Sequence, residues 1–300
     1  MPKGSISGAA PVLPTPFTAT GEIDEQGFKN IVNFCIAKGV DCLVFPGLAS
    51  EYDHLSLDER LFLIDLLGGL TNGHVKFIVG ASGRTIEETP ILVEAGRKAG
   101  AAAAMVVTPS RFKDDPVGLV EFYAQLQGQP IMLQNAPSPM GLGLSAGQVL
   151  DIVRAAPNIR YVKEENMPCG QRISQILKGA PDNLIGVFGG AGGRYITDEL
   201  ARGAMGTMPA AELTEVHVAM MRAHLAGDAA LVRELYDRVL PLLTMQAVFR
   251  WRLTKEVFLR RGLIKSAYTR APGPAFDAQD VKEFDIMLSR LEDLTGKLNH

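Results

Sequence analysis

The clearest pattern along the chain is a series of eight short apolar runs separated by longer, mixed segments. The apolar residues in these runs are nearly continuous and do not alternate strictly with polar ones. Continuous runs of this length are typical of parallel strands that are buried on both faces. In chain order the runs read "APVLPTPF", "VDCLVFPG", "VKFIVGAS", "AAAMVVTP", "PIMLQNAP", "IRYVKEE", "LIGVFGG" and "AMGTMPA".

The segments between most of these runs have helical periodicity and carry charged residues. Examples are "DEQGFKNIVNFCIAKG", "LDERLFLIDLLGGL", "TIEETPILVEAGRKAG" and "SAGQVLDIVRAAP". Several open on an Asp, Ser or Thr that can cap a helix, and several close near a Gly. Eight strand–helix units within roughly 220 residues predict an α/β fold of the (β/α)8 TIM-barrel type, since a doubly wound sheet usually has fewer strands.

The last part of the chain lacks strand patterns. From "GDAALVRELYDRVLPLLTMQAVF" onward it has helical patterns interrupted by "APGPAFD". No low-complexity or linker-like stretch separates it from what precedes it. We therefore predict a barrel domain over residues 1–222 and a helical C-terminal extension, residues 223–300, that packs on the barrel.

Charge and composition narrow the class of partner. The 300 residues include 30 Lys and Arg against 33 Asp and Glu, for a net charge of −3, so a small molecule is expected as partner and neither nucleic acid nor a membrane. No stretch has the apolar length of a signal peptide or a membrane span. The 3 cysteines and 5 histidines are scattered. We expect no metal site and no disulfide framework, and a reducing cytoplasm fits best.

In a (β/α)8 barrel the chemistry lies at the carboxyl ends of the strands. Lys163, which closes the run "IRYVKEE", is the only lysine at a predicted strand end. Burial disfavours the charged form of an amine, and a neutral amine can attack a ketone to form an imine. The alternative is a lysine that is solvated or paired with Glu164 or Glu165, and its position alone leaves that alternative open.

Motifs across nearly the whole chain resemble one family. "GAAPVLPTPFTATGEIDEQG", "GLASEYDHLSLDER", "VTPS", "QNAPSPMGLGLS", "IRYVKEE" and "GAMGTMPA" fall in the order and spacing of the dihydrodipicolinate synthase / N-acetylneuraminate lyase family of (β/α)8 enzymes. The resemblance implies that Lys163 forms a Schiff base with a 2-keto acid and that no cofactor is needed. It also implies that Gly47, Leu48 and Ala49 lie in the carboxylate-binding loop.

The family's Tyr-Asn-x-Pro motif falls on Gln134 and Asn135, which we expect at the substrate. We expect Gly189, Thr207 and Met208 there as well, at the ends of the last two strands. The departures from the family are equally specific. Gln134 replaces a tyrosine that relays protons, and an amide is neither acid nor base near neutral pH.

Other family groups are missing with the tyrosine. Leu48 and Ala49 replace the two hydroxyl residues that partner it, and Pro139 stands where synthases have an arginine for their second substrate. Dihydrodipicolinate synthase activity is therefore not expected. The Gln, together with "ASEYDHLSLDER" and "GAMGTM", most resembles the branch that contains L-2-keto-3-deoxyarabonate dehydratase.

That branch implies a lyase that dehydrates a 2-keto-3-deoxy sugar acid. An imine at C2 acidifies the C3–H bond, and the resulting enamine can expel the C4 hydroxyl as water. Glu51, Glu164 or a water held by Gln134 and Asn135 are the candidates for moving protons, although Glu51 is equally well explained as a structural residue. The alternatives are a pyruvate-yielding aldolase, a dihydrodipicolinate-synthase-like enzyme, and a catalytically inert ligand-binding barrel. The resemblance also implies a homotetramer, or else a homodimer.

Overall fold

Eight parallel strands form the centre of the molecule in the computed structural model, which describes residues 5–298. Hydrogen bonds join the strands in the order β1-β8-β7-β6-β5-β4-β3-β2. Their alternation with helices confirms the predicted (β/α)8 barrel. The strands are β1 (Gly8–Ala9), β2 (Cys42–Phe45), β3 (Lys76–Gly80), β4 (Ala103–Val107), β5 (Ile131–Asn135), β6 (Ile159–Glu164), β7 (Gly186–Gly189) and β8 (Gly206–Thr207).

The barrel closes between the segment after β1 and strand β2. Val12 forms a parallel bridge with Val44. The Leu13 N–H donates to the Val44 carbonyl at 3.0 Å, and the Val44 N–H donates to the Pro11 carbonyl at 3.0 Å. Prolines in "APVLPTPF" have no N–H to donate, which keeps the ladder of the first strand short.

Within the described residues, eight α-helices surround the strands and four more follow them in sequence. Several begin where the sequence predicts a cap: the Asp24 carboxylate accepts from the Gly27 N–H at 2.9 Å, and Ser56 and Ser145 each open a reciprocal capping box. Such caps contribute about 1 kcal/mol each. The helices are α1 (Glu25–Ala37), α2 (Leu57–Thr71), α3 (Glu88–Lys98), α4 (Pro116–Gln125), α5 (Ala146–Ala155), α6 (Cys169–Lys178), α7 (Ile196–Ala201), α8 (Thr214–Leu225), α9 (Ala229–Phe249), α10 (Trp251–Arg260), α11 (Ala278–Ser289) and α12 (Glu292–Thr295).

Successive side chains of each strand point to opposite sides of the barrel wall. Val44, Ile78 and Met105 belong to the cluster inside the barrel. Leu43 and Phe45, their neighbours in β2, belong to the larger cluster between the strands and the helices. Two separate apolar cores result, one in the lumen and one under the helices, and the same alternation decides which polar side chains reach the mouth.

A buried ion pair joins the C-terminal helices to the barrel. The Lys255 ammonium group, on α10, contacts the Glu51 carboxylate in the loop after β2, and both side chains are 0% exposed. The other Glu51 oxygen accepts from the Ala271 N–H at 2.6 Å, and Lys255 donates to the Tyr268 carbonyl at 2.8 Å. Burial lowers the pKa of Lys255 to about 8, and the nearby Glu51 carboxylate acts in the opposite direction.

Arg270 adds a second link between the C-terminal segment and the barrel. Its guanidinium group makes two hydrogen bonds to the Glu59 carboxylate, at 2.7 and 2.8 Å, and donates to the Gly21 carbonyl at 2.9 Å. It also lies 4.3 Å from the centre of the Phe17 ring. The helical extension is thus fixed by polar contacts onto the side of the barrel where it closes. The division at residues 222 and 223 stays a prediction.

Glu199, on α7, is a buried carboxyl group behind the barrel wall. The Cys169 thiol donates to it at 3.1 Å. A Cβ at Gly189 would lie 1.9 Å from a Glu199 oxygen, so only glycine permits this approach. Burial raises the pKa of Glu199 from 4.5 to about 7.

We expect Lys255→Met to lower the free energy of unfolding by roughly 3–5 kcal/mol, because it leaves the Glu51 carboxylate buried without its cation. Chemical denaturation measures the change. Lys29→Met is the matched control: its ion pair with Glu25, at 2.6 Å, has side chains 34% and 49% exposed, and such a pair contributes less than about 1 kcal/mol. Equal losses in the two variants would contradict a special role for the buried pair.

Glu199→Gln should change how stability depends on pH. Because the folded pKa, about 7, exceeds the reference value of 4.5, the contribution of Glu199 to stability is fully present below about pH 4.5 and is lost as the pH rises towards 7. Glutamine does not titrate. Going from pH 4.5 to 7, the free energy of unfolding of the wild type should therefore fall relative to that of the variant by up to roughly 3 kcal/mol.

Denaturation curves at several pH values measure this difference, and any group that titrates alike in both proteins cancels from it. Glu121→Gln, at an exposed position, controls for the loss of a carboxylate in general. A constant difference between wild type and Glu199→Gln across this pH range would show that the buried carboxyl group is not held neutral.

Candidate active site

The carboxyl ends of the strands surround a cavity of about 150 Å³. Its wall combines strand ends, the loops that follow β2 and β7, and the junction of α9 with α10. A smaller cavity of about 20 Å³ shares Leu48 and Met105 with it and is lined by Gln134. Five residues from the sequence prediction line the larger cavity: Gly47, Leu48, Ala49, Lys163 and Met208.

Lys163 lies inside the barrel mouth as part of a short polar chain. Its ammonium group is 3.0 Å from the Oε1 atom of Glu165. Gln134 lies opposite Lys163 on the neighbouring strand β5, and its side-chain amide donates to the same Oε1 atom at 2.6 Å. The second oxygen of Glu165 forms no hydrogen bond with residues 5–298. The site therefore presents an amine and a carboxylate that an amide holds in place.

Hydrogen bonds hold the loop after β2 in place, and two of its backbone N–H groups have no acceptor among the described residues. The Gly47 N–H donates to the Ser50 hydroxyl at 2.9 Å, and the Thr15 hydroxyl donates to the Ser50 carbonyl at 2.7 Å. Leu48 and Ala49, which follow Gly47 into the cavity, have N–H groups that find no backbone acceptor within residues 5–298. Backbone N–H groups arranged in this way can bind a carboxylate whatever the side chains are.

The strand pleat turns four other predicted residues away from the cavity. Asn135 and Glu164 are completely buried on the helix side of β5 and β6. The Asn135 amide donates to Glu164 at 2.8 Å and to the Leu144 carbonyl at 3.0 Å. Gly189 packs against Glu199, as described above. Thr207 alternates with Met208 in the same way, and its buried hydroxyl has no partner within residues 5–298.

Glu164 is therefore part of a polar network in the outer wall. It accepts from the Asn166 N–H at 2.8 Å and lies 3.2 Å from the Arg172 guanidinium. Burial raises its pKa, although Asn135, Asn166 and Arg172 act in the opposite direction. Glu51 is likewise engaged elsewhere, with Lys255 and Ala271. This placement gives no support to a direct proton transfer by either glutamate or to substrate contacts by Asn135, Gly189 and Thr207, which stay predictions.

Several cavity residues have no counterpart in the sequence prediction. The sequence suggests Glu165 only as an ion-pair partner of Lys163, whereas period-two alternation from Lys163 places it on the lumen side. Arg194, Gln246, Arg250 and Trp251 come from a loop and from the helical extension. Trp251 donates its indole N–H to the Leu48 carbonyl at 2.6 Å. No local motif marks these residues.

Among residues 5–298, no group of three or more His, Cys, Asp or Glu side chains is placed to hold a metal ion. Over the same range, no helix combines the length and the apolar character that crossing a membrane requires. Apart from two arginines, the ionisable side chains that line the larger cavity are those of Lys163 and Glu165, and Gln134 is a neutral hydrogen-bonding partner of Glu165.

Many known proteins are similar to this chain in sequence or in fold. The 4-hydroxy-tetrahydrodipicolinate synthase of Acidobacterium capsulatum is 32% identical over 305 aligned positions, which cover 98% of this chain and 96% of the relative. The solved structure of the 4-hydroxy-tetrahydrodipicolinate synthase from Methylacidiphilum fumariolicum SolV superposes with a TM-score of 0.87 at 23% identity, and covers 96% of this chain and 97% of that one.

YagE, a prophage protein of the dihydrodipicolinic acid synthase family from E. coli K12, was solved in complex with pyruvate. It superposes with a TM-score of 0.84 at 23% identity over 96% of this chain and 98% of its own. The sequence profile of the dihydrodipicolinate synthetase family matches residues 5–291. Enzymes of this family form a Schiff base on a lysine and need no cofactor. From the profile match and the relative of 32% identity, we conclude that this chain belongs to the dihydrodipicolinate synthetase family of lyases.

Proposed function

We propose that the protein is a Schiff-base lyase that dehydrates a 2-keto-3-deoxy sugar acid, such as L-2-keto-3-deoxyarabonate. The observation that carries this proposal is the contact of Glu165 with both Lys163, at 3.0 Å, and Gln134, at 2.6 Å. A carboxylate beside the amine is suited to moving protons, whereas the amide that replaces the family's tyrosine is not.

The geometry supports a specific division of roles in binding. The substrate carboxylate would accept hydrogen bonds from the free N–H groups of Leu48 and Ala49. The Lys163 amine would attack the C2 ketone and release its oxygen as water to form a protonated imine. YagE, solved with pyruvate bound, is a precedent for 2-keto acid binding on this fold. Lys163 would then act as the electron sink.

Glu165 would carry the proton through the elimination. Its free Oε2 atom would take the C3 proton, and the bonding pair would move into the imine to give an enamine. The enamine would then expel the C4 hydroxyl as the proton on Glu165 passes to the leaving oxygen. The result is one water, a C3–C4 double bond and a regenerated carboxylate. Gln134 would position Glu165 and touch no reacting atom.

Two alternatives use the same imine. A pyruvate-yielding aldolase would form the same imine and then cleave the C3–C4 bond. A synthase is the second alternative, because the relative of 32% identity is named a synthase. Two residues argue against a synthase: Gln134 replaces the family's tyrosine, and Pro139 stands where synthases have an arginine. A catalytically inert binding barrel would need no reactive amine. The predicted homotetramer, or homodimer, stays a prediction, as does a cytoplasmic location.

Lys163→Ala should abolish turnover and covalent trapping, because it removes the only amine of the cavity lining that can form an imine. Incubation with pyruvate and borohydride, followed by peptide mass spectrometry, should place the reduced adduct on the peptide that contains Lys163. Lys113→Ala, at an exposed loop lysine, is the control and should trap normally. An adduct that persists in Lys163→Ala would refute the assignment.

Product analysis with a panel of 2-keto-3-deoxy sugar acids separates the enzymatic alternatives. Loss of water supports the proposal, and release of pyruvate identifies an aldolase. A separate assay with pyruvate and aspartate semialdehyde tests for a synthase, which would condense the two. A wild-type protein that traps no keto acid would be the inert binding barrel.

Glu165→Gln should lower kcat by roughly 10²- to 10⁴-fold, the usual effect of losing a positioned acid–base group. Gln134→Ala should lower it by roughly 10- to 1000-fold. The double variant should be about as slow as Glu165→Gln alone, because Gln134 acts through Glu165 and the two effects are then not additive. Steady-state kinetics measures all three.

Glu164→Gln is the matched control, since it makes the same change one residue away on the outer face of β6. We expect it to lower stability more than kcat, because Glu164 is bound within the wall network. A stable Glu164→Gln protein without turnover would instead assign proton transfer to Glu164.

A further inference from the structure

We propose that the cavity mouth contains a second anion-binding subsite, formed by Arg194, Arg250 and Gln246, that holds a negatively charged group at the far end of the substrate. This inference rests on the proposed function, because it concerns the other end of the same keto acid. It names the substrate class more narrowly: a 2-keto-3-deoxy acid whose distal terminus is a carboxylate or a phosphate.

Arg194 and Gln246 converge on one point above the loop after β7. Gly192 has a φ of 65°, and a Cβ built on it would lie 3.1 Å from Arg194 Nη1 and 3.8 Å from Gln246 Oε1. The absence of a side chain at Gly192 thus keeps the space between these two polar groups open to the cavity. The guanidinium group of Arg194 has no acceptor within residues 5–298.

Arg250 reaches the same cavity from the junction of α9 and α10. Its backbone has a φ of 43° and a ψ of −114°, a strained conformation for a residue other than glycine. The neighbouring indole of Trp251 fixes the junction by its hydrogen bond to the Leu48 carbonyl. The guanidinium group lies 5.8 Å from the Trp251 ring centre, and no carboxylate of the described chain pairs with it.

The charges that line the cavity do not balance. Lys163, Arg194 and Arg250 are cationic, and the single carboxylate, Glu165, is already paired with Lys163. Two guanidinium groups without acceptors are well suited to a planar carboxylate or a phosphate, with which they form charge-assisted hydrogen bonds. The hydroxymethyl end of L-2-keto-3-deoxyarabonate would leave both of them in solvent, so among 2-keto-3-deoxy sugar acids the subsite favours a dianionic member over that example. A dianionic substrate would engage the Leu48 loop at one end and the arginines at the other.

The test measures imine formation, so that it does not depend on dehydration. The concentration of keto acid that gives half-maximal borohydride trapping on Lys163 is determined for 2-ketoadipate and for 2-ketohexanoate, which have the same chain length and differ in the distal carboxylate. We expect 2-ketoadipate to be favoured by roughly 10- to 100-fold. 2-Keto-3-deoxygluconate and its 6-phosphate form the second pair, which tests a phosphate in place of a carboxylate.

Arg194→Gln and Arg250→Gln should each reduce the preference for the anionic member of a pair by about 10-fold. Arg252→Gln is the matched control: Arg252 is two residues from Arg250, does not line the cavity, and lies 3.4 Å from Glu256. It should leave the preference unchanged. High salt should weaken the preference in the wild type.

Equal trapping of both members of both pairs would overturn the subsite while leaving the proposed function intact. A preference that survives in both arginine variants would also overturn it, since other groups would then recognise the anion. Absence of any adduct on Lys163 would instead refute the proposed function. A preference confined to one pair identifies whether the distal group is a carboxylate or a phosphate.

Discussion

The pleat of the closed parallel barrel is the constraint on which the rest of the structure depends. Once the strands are in register, each side chain must face either the lumen or the helices, and a shift by one residue would exchange the two faces. Lys163 and Gln134 are paired across β5 and β6 on the lumen face. The adjacent pair, Glu164 and Asn135, is consequently buried in the wall. The same polar sequence thus supplies both a reactive site and a structural network.

The helical extension completes the site as well as covering the barrel. Glu51, Lys255 and Ala271 form a buried polar contact directly after the loop that contains Leu48. Trp251 binds the carbonyl of Leu48 itself. Removing both charges of such an ion pair from water costs free energy, which offsets much of their attraction. We therefore interpret the pair as holding the loop and α10 in position and not as a source of net stability. The extension thereby fixes the loop that contains Leu48 and brings Arg250 to the cavity, where Arg194 arrives from the loop after β7.

The site keeps the family's amine and changes its surroundings. Gln134 replaces the expected tyrosine, and the carboxylate of Glu165 occupies the space between that amide and Lys163. Because a carboxylate accepts and returns protons more readily than an amide, our proposal assigns proton transfer to Glu165, directly after β6, in place of the family's tyrosine on β5. Family membership fixes the Schiff-base chemistry, while these replacements and the unpaired arginines bear on which keto acid is used.

The sequence by itself determined the eight strands, several helix starts and a lysine at the end of the sixth strand, because continuous apolar runs, capping residues and one strand-end lysine are local signals. It also determined the loop of Gly47, Leu48 and Ala49, since the motif is contiguous. The same alternation, continued past the strand end, separates Glu165 on the lumen side from Glu164 in the wall. Only the tertiary structure decided that Glu51 is paired with Lys255 and that Arg194, Gln246 and Arg250 share one cavity. These contacts join residues that are far apart in the sequence. The periodicity of a segment reports only its own buried face, so it does not indicate which distant side chains meet once the barrel closes.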